Sequence, residues 1–322
     1  MLKMSIKPEH IALNGPTMGT RWSATFFAAT GFDTAPVQAA LQSAVDEVDN
    51  QMSTWKPDSD LMSVNAAPVG DWIPVPRRLL DVIRSGLEIG RSTEGAFDIG
   101  QGDAVGAWGF GPSEANAQGI KAAARRPRAA AFDCLEIDVS RRSLRKLAPV
   151  SLDLNGIAKG YGVDCMCDVL SAIGITSSLV AIDGELRATG LQPDGTAWAI
   201  AVEAPARNLR AAHSVVSLQD AAIATSGDYR HWVEIQGRRF SHTMHPKGGR
   251  PLAAPPASVT VVARTCLLAD AWATALMVVG VDAGKALAER HGLDVLFLER
   301  GDAGEIVPSS AGRVFEIEQP IS

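Results

Sequence analysis

The sequence predicts an α+β chain. Helical stretches are few, the strands between them are joined by tight turns, and the GxGxxG opening of a doubly wound sheet is missing. With 322 residues, 46% of them apolar and 20% charged, the chain is long enough for one large domain or two closely packed halves with a substantial core. No linker, low-complexity stretch or repeat divides it, so residues 1–322 read as a single domain with 1–14 as a flexible N-terminal extension.

The elements follow in order. TRWSATFF (20–27) alternates, placing Trp22, Ala24 and Phe26 on one side of a strand. After Pro36, apolar residues at Val37, Leu41, Val45, Val48 and Met52 have helical spacing, and a second helix over Arg77–Arg91 buries Leu80, Ile83 and Leu87. KPDSD (56–60) and the stretch from Pro68 to Pro76 are loops by their turn residues. EGAFDIGQGDAVGAWGFGP (94–112) has too many glycines for a regular element and too many apolar residues for a linker, so it reads as an ordered loop whose backbone approaches something closely. LEIDVSRRSLRKL reads as a hairpin about Ser140–Arg142.

Residues 154–174 read as a turn running into a helix, with Tyr161, Cys165, Met166, Val169 and Ile173 inward. Strands are expected at Leu179–Ile182, Thr196–Glu203, Ser214–Leu218, His231–Ile235 and 258–263. Cys266–Val279 is expected as the last helix, with closing strands at Val295–Leu298 and Val314–Ile317.

Net charge is −6 and the longest basic cluster is Arg125, Arg126 and Arg128, which excludes nucleic acid and anionic membranes as partners of the whole surface. An anionic ligand needs a local positive site. Cys134, Cys165, Cys167 and Cys266 match neither a zinc knuckle nor a CxxC pair and read as buried free thiols. No window reaches the roughly 20 apolar residues of a membrane span, and Met1–His10 carries neither a signal-peptide core nor a lipid-attachment cysteine. As it stands the chain reads as cytoplasmic, and as periplasmic if a leader precedes it.

Three segments have chemistry to offer. In ADAWATALMVVG (269–280), Asp270 and Thr274 share a helical face; two hard oxygen donors in so apolar a helix suit a magnesium ion, although Asp270 as a helix cap fits the spacing too. SLDLNGIAKGYGVD (151–164) carries Asp153, Asn155 and Gly156 into a helix start with Lys159 in its first turn, either an anion site or a strand–helix corner with a solvated lysine. FSHTMHPKGGRP (240–251) has His242 and His245 without a third metal ligand nearby, so a general base or ordinary loop polarity fits better than zinc. Trp55, Asp98 and Trp108 suit contacts to a flat heterocycle, or anchoring of the core.

Together these segments resemble the FAD:protein FMN transferase, or ApbE, family. The likeness runs through GPTMGTRW (15–22), MSTWKPDSDLMSVN (52–65), GAFDIGQG with WGFGP (95–112) and SLDLNGIAKGYGVD (151–164). It continues through DGELRATG (183–190), ATSGDYR (224–230), SHTMHPKGGRP (241–251) and DAWATAL (270–276).

The resemblance implies two similar, intertwined α/β halves with mostly antiparallel sheets and a flavin site between them. It implies Mg²⁺ held by Asp270, Thr274 and the Gly156 carbonyl, with FAD as substrate and Lys159 on its pyrophosphate. Met18, Ser53, Thr54, Trp55, Asp98 and Asp183 match flavin- or nucleotide-contacting positions, and His242 matches a base. The catalytic set it implies is His242, Lys159 and Asp270, and the acceptor is a Thr or Ser hydroxyl of a flavoprotein modified in trans, with AMP released. Hydrolysis of FAD to FMN and AMP, or FAD binding without turnover, are the competing expectations. Three positions depart from the family pattern: His245 replaces the aspartate of an HxxDP motif, Asp103 stands where proline is more frequent, and Glu185 stands where asparagine is frequent.

Overall fold

The structure is a computed structural model and describes residues 8–206, 211–229, 232–235 and 237–315. Strands β1 (Glu9–Thr17) and β2 (Thr20–Ala28) open the chain as a hairpin, followed by α1 (Ala35–Met52), α2 (Asp60–Ala66), the short β3 (Ile73–Pro74) and α3 (Arg77–Ser92). Then come α4 (Gly102–Ala107), α5 (Ala117–Arg125), the single turn α6 (Ala131–Cys134) and a hairpin of β4 (Leu135–Asp138) and β5 (Ser143–Lys146). Helix α7 (Ala158–Ala172) leads into β6 (Ser178–Ile182), β7 (Glu185–Thr189), the ribbon β8 (Trp198–Glu203) with β9 (Ala212–Leu218), and β10 (Ala221–Gly227). Two small ribbons, β11 (Trp232–Ile235) with β12 (Arg238–Ser241) and β13 (Met244–His245) with β14 (Arg250–Pro251), precede β15 (Ser258–Ala263). The chain closes through α8 (Cys266–Val279), α9 (Val281–His291), β16 (Asp294–Arg300) and β17 (Ile306–Ala311).

Eight strands form one sheet in the order β1-β2-β6-β7-β10-β15-β16-β17, every neighbouring pair antiparallel. This is the expected α+β class. One face of the sheet is covered by helices: Trp22, Ala24, Phe26, Val180 and Ile182 pack with α1 and α7, while Val259, Val261, Val295 and Phe297 pack with α8 and α9. The alternate residues Leu179, Leu186, Ile223, Val262, Leu296 and Leu298 face the β8–β9 ribbon with Trp198, Ile200, Val202, Val216 and Leu218. Burial on both faces explains why β15 and β16 read as nearly continuous apolar runs rather than alternating ones. Helix α8, apolar around most of its circumference, lies in the interior against α7, β10 and β15.

Several expectations need correction. Residues 9–14, expected in an N-terminal extension, form most of β1, paired from Glu9↔Ala28 to Thr17↔Thr20; residues 1–7 lie outside the described ones. Ile173 is exposed, because α7 stops at Ala172 and the next residue leaves the apolar stripe. Cys266–Val279 is not the last helix: Gly280, at φ +82°, breaks the run and α9 restarts it. The closing strand is β17. Val314 and Phe315 lie in a turn, while Glu316, Ile317 and His231 fall outside the described residues. Helix α4 sits within the 94–112 stretch expected as an ordered loop, and α5, β7, β10 and β17 were not foreseen.

Candidate active site

Strand register gathers several expected residues at one end of the sheet. The β1–β2 turn is Met18-Gly19, between the paired Thr17 and Thr20, and both turn residues have positive φ (+45° and +71°). That is the backbone a two-residue hairpin requires, and for Met18 it is a strained one. The β6–β7 turn is Asp183-Gly184, between paired Ile182 and Glu185, again with positive φ at Asp183 (+53°). Because Trp22 pairs with Ile182 and Ile223 pairs with Leu186, these two turns and the end of β10 at Ser226-Gly227 lie on the same rim.

The first turn of α7 and the middle of α8 meet below that rim. Gly160 N–H donates to Asp270 Oδ2 at 3.0 Å, so the α7 N-terminus supplies an orphan donor to a buried carboxylate. Only glycine permits this approach, since a Cβ on Gly160 would run into the Cys266 carbonyl and lie 2.8 Å from Asp270 Cβ. The position of α8 is set by Asp164 of α7, which accepts from the N–H groups of Cys266 (3.0 Å) and Leu267 (2.9 Å), while Thr265 Oγ1 accepts from Leu268 N–H. Asp164 is held in turn by Arg187 Nη1 at 2.6 Å. One helical turn beyond Asp270, Thr274 Oγ1 lies 3.2 Å from Ser226 Oγ and faces Gly156, whose Cβ position would be 3.1 Å from it.

Lys159 points to the same place. Its ammonium contacts both Glu185 oxygens, at 2.8 and 2.9 Å, and lies 3.7 Å from Asp183 Oδ2. Burial alone would lower the Lys159 pKa, but Glu185, and after it Asp270 and Asp183, hold it above the ordinary lysine value. Burial also raises the Glu185 carboxyl, against the pull of Lys159. Asp270 is pushed up to about 7 by burial and by the Glu185 charge, partly opposed by Lys159 and the Gly160 N–H. Asp153 is raised to about 6 by burial.

These groups line a cleft of about 1210 Å³, above the roughly 300–1,000 Å³ usual for drug-sized ligands and suited to a dinucleotide. Its walls include Met18, Ser53, Trp55, Asp98, Gly156, Lys159, Asp183, His242, Asp270 and Thr274. Thr54 is set back from the wall, its Oγ1 buried without a hydrogen-bond partner among the described residues. Trp55, on the cleft wall, is 61% exposed. Asp98 accepts from the N–H groups of Gly100 (2.9 Å) and Ala131 (3.0 Å) and from Gln101 Nε2 (3.0 Å), while burial raises its pKa. His242 sits edge-on to Phe110, with ring centroids 6.4 Å apart.

Two of the three departures from family pattern have consequences here. Glu185, the first residue of β7 after the Asp183-Gly184 turn, lines the cleft as the principal partner of Lys159. Asp103 forms an ion pair with Arg128 at 2.9 Å. His245 is exposed in β13 and does not line the cleft. Trp108, expected to contact a heterocycle or anchor the core, does the second: it is buried, and its Nε1 donates to the Gly249 carbonyl at 3.0 Å.

The chemistry of the donor set fits a magnesium ion. The lining carries Asp49, Asp98, Asp153, Asp183, Glu185, Glu203 and Asp270 against Lys56 and Lys159, and Lys56 is paired with Asp49 at 2.5 Å. A pyrophosphate in so acidic a cleft needs a cation. Among the described residues no three His, Cys, Asp or Glu side chains cluster as a protein-only metal cage. Magnesium does not need one, because it takes one or two carboxylates and completes its octahedron with phosphate and water.

Known proteins share this architecture. The ApbE family model matches residues 18–297. The chain is 37% identical over 299 residues to the FAD:protein FMN transferase of Vibrio cholerae, covering 92% of this chain and 89% of that one. It is 34% identical over 309 residues to the FAD:protein FMN transferase of Escherichia coli, covering 92% and 86%. Among solved structures, the flavin transferase ApbE of Vibrio cholerae superposes with a TM-score of 0.83 at 34% identity, covering 94% of this chain and 97% of that one. The apo flavinyl transferase ApbE of Pseudomonas stutzeri superposes with a TM-score of 0.83 at 36% identity, covering 95% and 96%.

Proposed function

The chain belongs to the ApbE family, and from that membership we propose that it moves FMN from FAD to a threonine or serine hydroxyl of a target flavoprotein and releases AMP. The observation that carries the reading is the convergence of Asp270, Thr274, Gly156 and Lys159 at the floor of a dinucleotide-sized cleft.

Asp270 and Thr274 would hold the magnesium ion through side-chain oxygens, and Gly156 would add its carbonyl. Bound there, magnesium supplies the positive charge that an acidic cleft lacks for a pyrophosphate and for the phosphate leaving group. The protein's own part is mostly positioning. Lys159, held by Glu185 and Asp183, adds a fixed positive charge at the α7 N-terminus. Trp55 and Met18 offer apolar surface to the flavin or the adenine, and Asp98, held by three hydrogen bonds, is a rigid acceptor for a ligand N–H or hydroxyl.

His242 takes the proton of the incoming hydroxyl. The new bond joins that oxygen to the FMN phosphorus, the bond from this phosphorus to the bridging oxygen breaks, and AMP leaves with the oxygen. Catalysis by alignment and charge needs no covalent nucleophile from the chain itself, which agrees with four cysteines that are all buried.

Incubation of the protein with FAD, Mg²⁺ and a candidate acceptor flavoprotein, followed by chromatography of the nucleotides and mass analysis of the acceptor, tests this reading. AMP formation matched by FMN added to the acceptor, both stopping on chelation, is the expected result. FAD bound tightly in Mg²⁺ without any AMP would instead support a non-catalytic flavin carrier.

A further inference from the structure

We propose that Arg128 is a positioning residue that ties the Asp98 wall of the cleft to the loop carrying His242; the proposal rests on the transfer reading above. The Arg128 side chain is 7% exposed and makes a two-pronged ion pair with Asp103, Nη1 to Oδ1 at 2.9 Å and Nη2 to Oδ2 at 3.0 Å. Nη1 also reaches Gln101 Oε1 at 3.4 Å, and Gln101 Nε2 donates to Asp98 Oδ2 at 3.0 Å. The guanidinium is therefore one residue removed from a carboxylate on the cleft wall.

Its other edge touches the histidine loop. Gly249 has φ +54°, and a Cβ there would collide with the Ala123 carbonyl and lie 2.8 Å from Arg128 Nε. That Nε has no hydrogen-bond partner among the described residues and is buried against the glycine turn. Gly249 N–H donates to the His245 carbonyl at 3.1 Å, and Gly249 O accepts from Trp108 Nε1 at 3.0 Å. Trp108 packs against Phe240 with ring planes tilted by 57° and centroids 5.0 Å apart, and Phe110 lies edge-on to His242. The turn that ends the His242 segment is thus clamped between Trp108 and Arg128.

Arginine suits this place because its planar fork serves a carboxylate with two parallel bonds while a nitrogen still reaches Gln101. Lysine offers a single point charge. Asp103, which departs from the proline frequent in the family, is the anchor that makes the clamp possible in this chain. A base and a substrate-contacting carboxylate need positions accurate to about 0.5 Å, which supporting residues supply.

The test is a double-mutant cycle read by AMP release and FMN transfer, with thermal melts as a folding control. Arg128→Ala is expected to lower kcat on the order of 10-fold and to change KM for FAD much less. In a His242→Ala background the same change should cost almost nothing more, and Arg128→Lys should recover part of the loss. Losses that multiply in the double variant, or that fall equally on kcat and KM, would overturn the positioning role. If Arg128→Ala does not fold, Asp103→Asn goes through the same cycle with the guanidinium kept in place. A wild-type protein that forms no AMP sinks the transfer reading and the clamp with it; an active wild type with multiplying losses sinks the clamp alone.

Discussion

At the scale of single residues, Asp270 decides the behaviour of the site. A carboxylate buried beside Glu185 is costly to ionise, and a cation removes that cost. The sign of its pH dependence follows. The Asp270 pKa is raised on folding, so its stabilising contribution is fully present below about pH 4 and is lost as pH rises through about 7. The metal-free protein therefore loses stability over that window, and Mg²⁺ should raise the melting temperature more at pH 8 than at pH 6. An equal magnesium shift at both pH values would remove Asp270 from the metal site.

Asp270→Asn keeps the side-chain volume and should lower magnesium-dependent AMP release by on the order of 10²-fold or more, with melting at pH 8 in EDTA unchanged or higher. His242→Ala should reduce kcat more than FAD affinity, as expected of a base; parallel losses would make it a binding residue.

Elements place these residues, and here the sequence was partly legible. Helix α8 was read from its first residue to its last because its apolar run is long and its ends are marked by Thr265 and Gly280. β15 was read over its whole length for its β-branched run. β10, built of small residues, has little β propensity of its own and owes its existence to β7 and β15 on either side. The α7–α8 contact was also invisible, since Asp164 and Gly160 act on residues about 100 positions away. Asp164→Ala removes the acceptor for two α8 N–H groups and leaves Arg187 without its partner. It should lower stability by about 1–2 kcal/mol and weaken Mg²⁺ binding, measured by denaturant titration and calorimetry. Unchanged magnesium affinity would show that α8 holds Asp270 in register without this cap.

For the whole molecule, the fold class was legible from turn-rich strands and sparse helices, but the layering was not. The β8–β9 ribbon covers the sheet face opposite the helices, and only the structure shows that the alternate residues of β15 and β16 belong to two cores. The cleft is likewise a property of the whole chain: Met18, Trp55, Asp98, Lys159, His242 and Asp270 come from separate segments and meet at the end of one sheet. Resemblance joined them in sequence; strand register and the α7–α8 contact join them in space. Residue types alone left Lys159 and Asp270 open between structure and chemistry, because neither the Glu185 pairing nor the Gly160 N–H contact has a local sequence signal.

The cleft is lined mostly by acidic side chains, and Trp55 on its wall is exposed. The most direct measurement is the intact mass of a candidate acceptor flavoprotein after incubation with this protein, FAD and Mg²⁺. One added FMN, less water, on a threonine or serine, with one AMP formed per transfer and none in EDTA, is the predicted result. AMP formed with no mass added to any acceptor would contradict transfer and leave FAD hydrolysis as the activity.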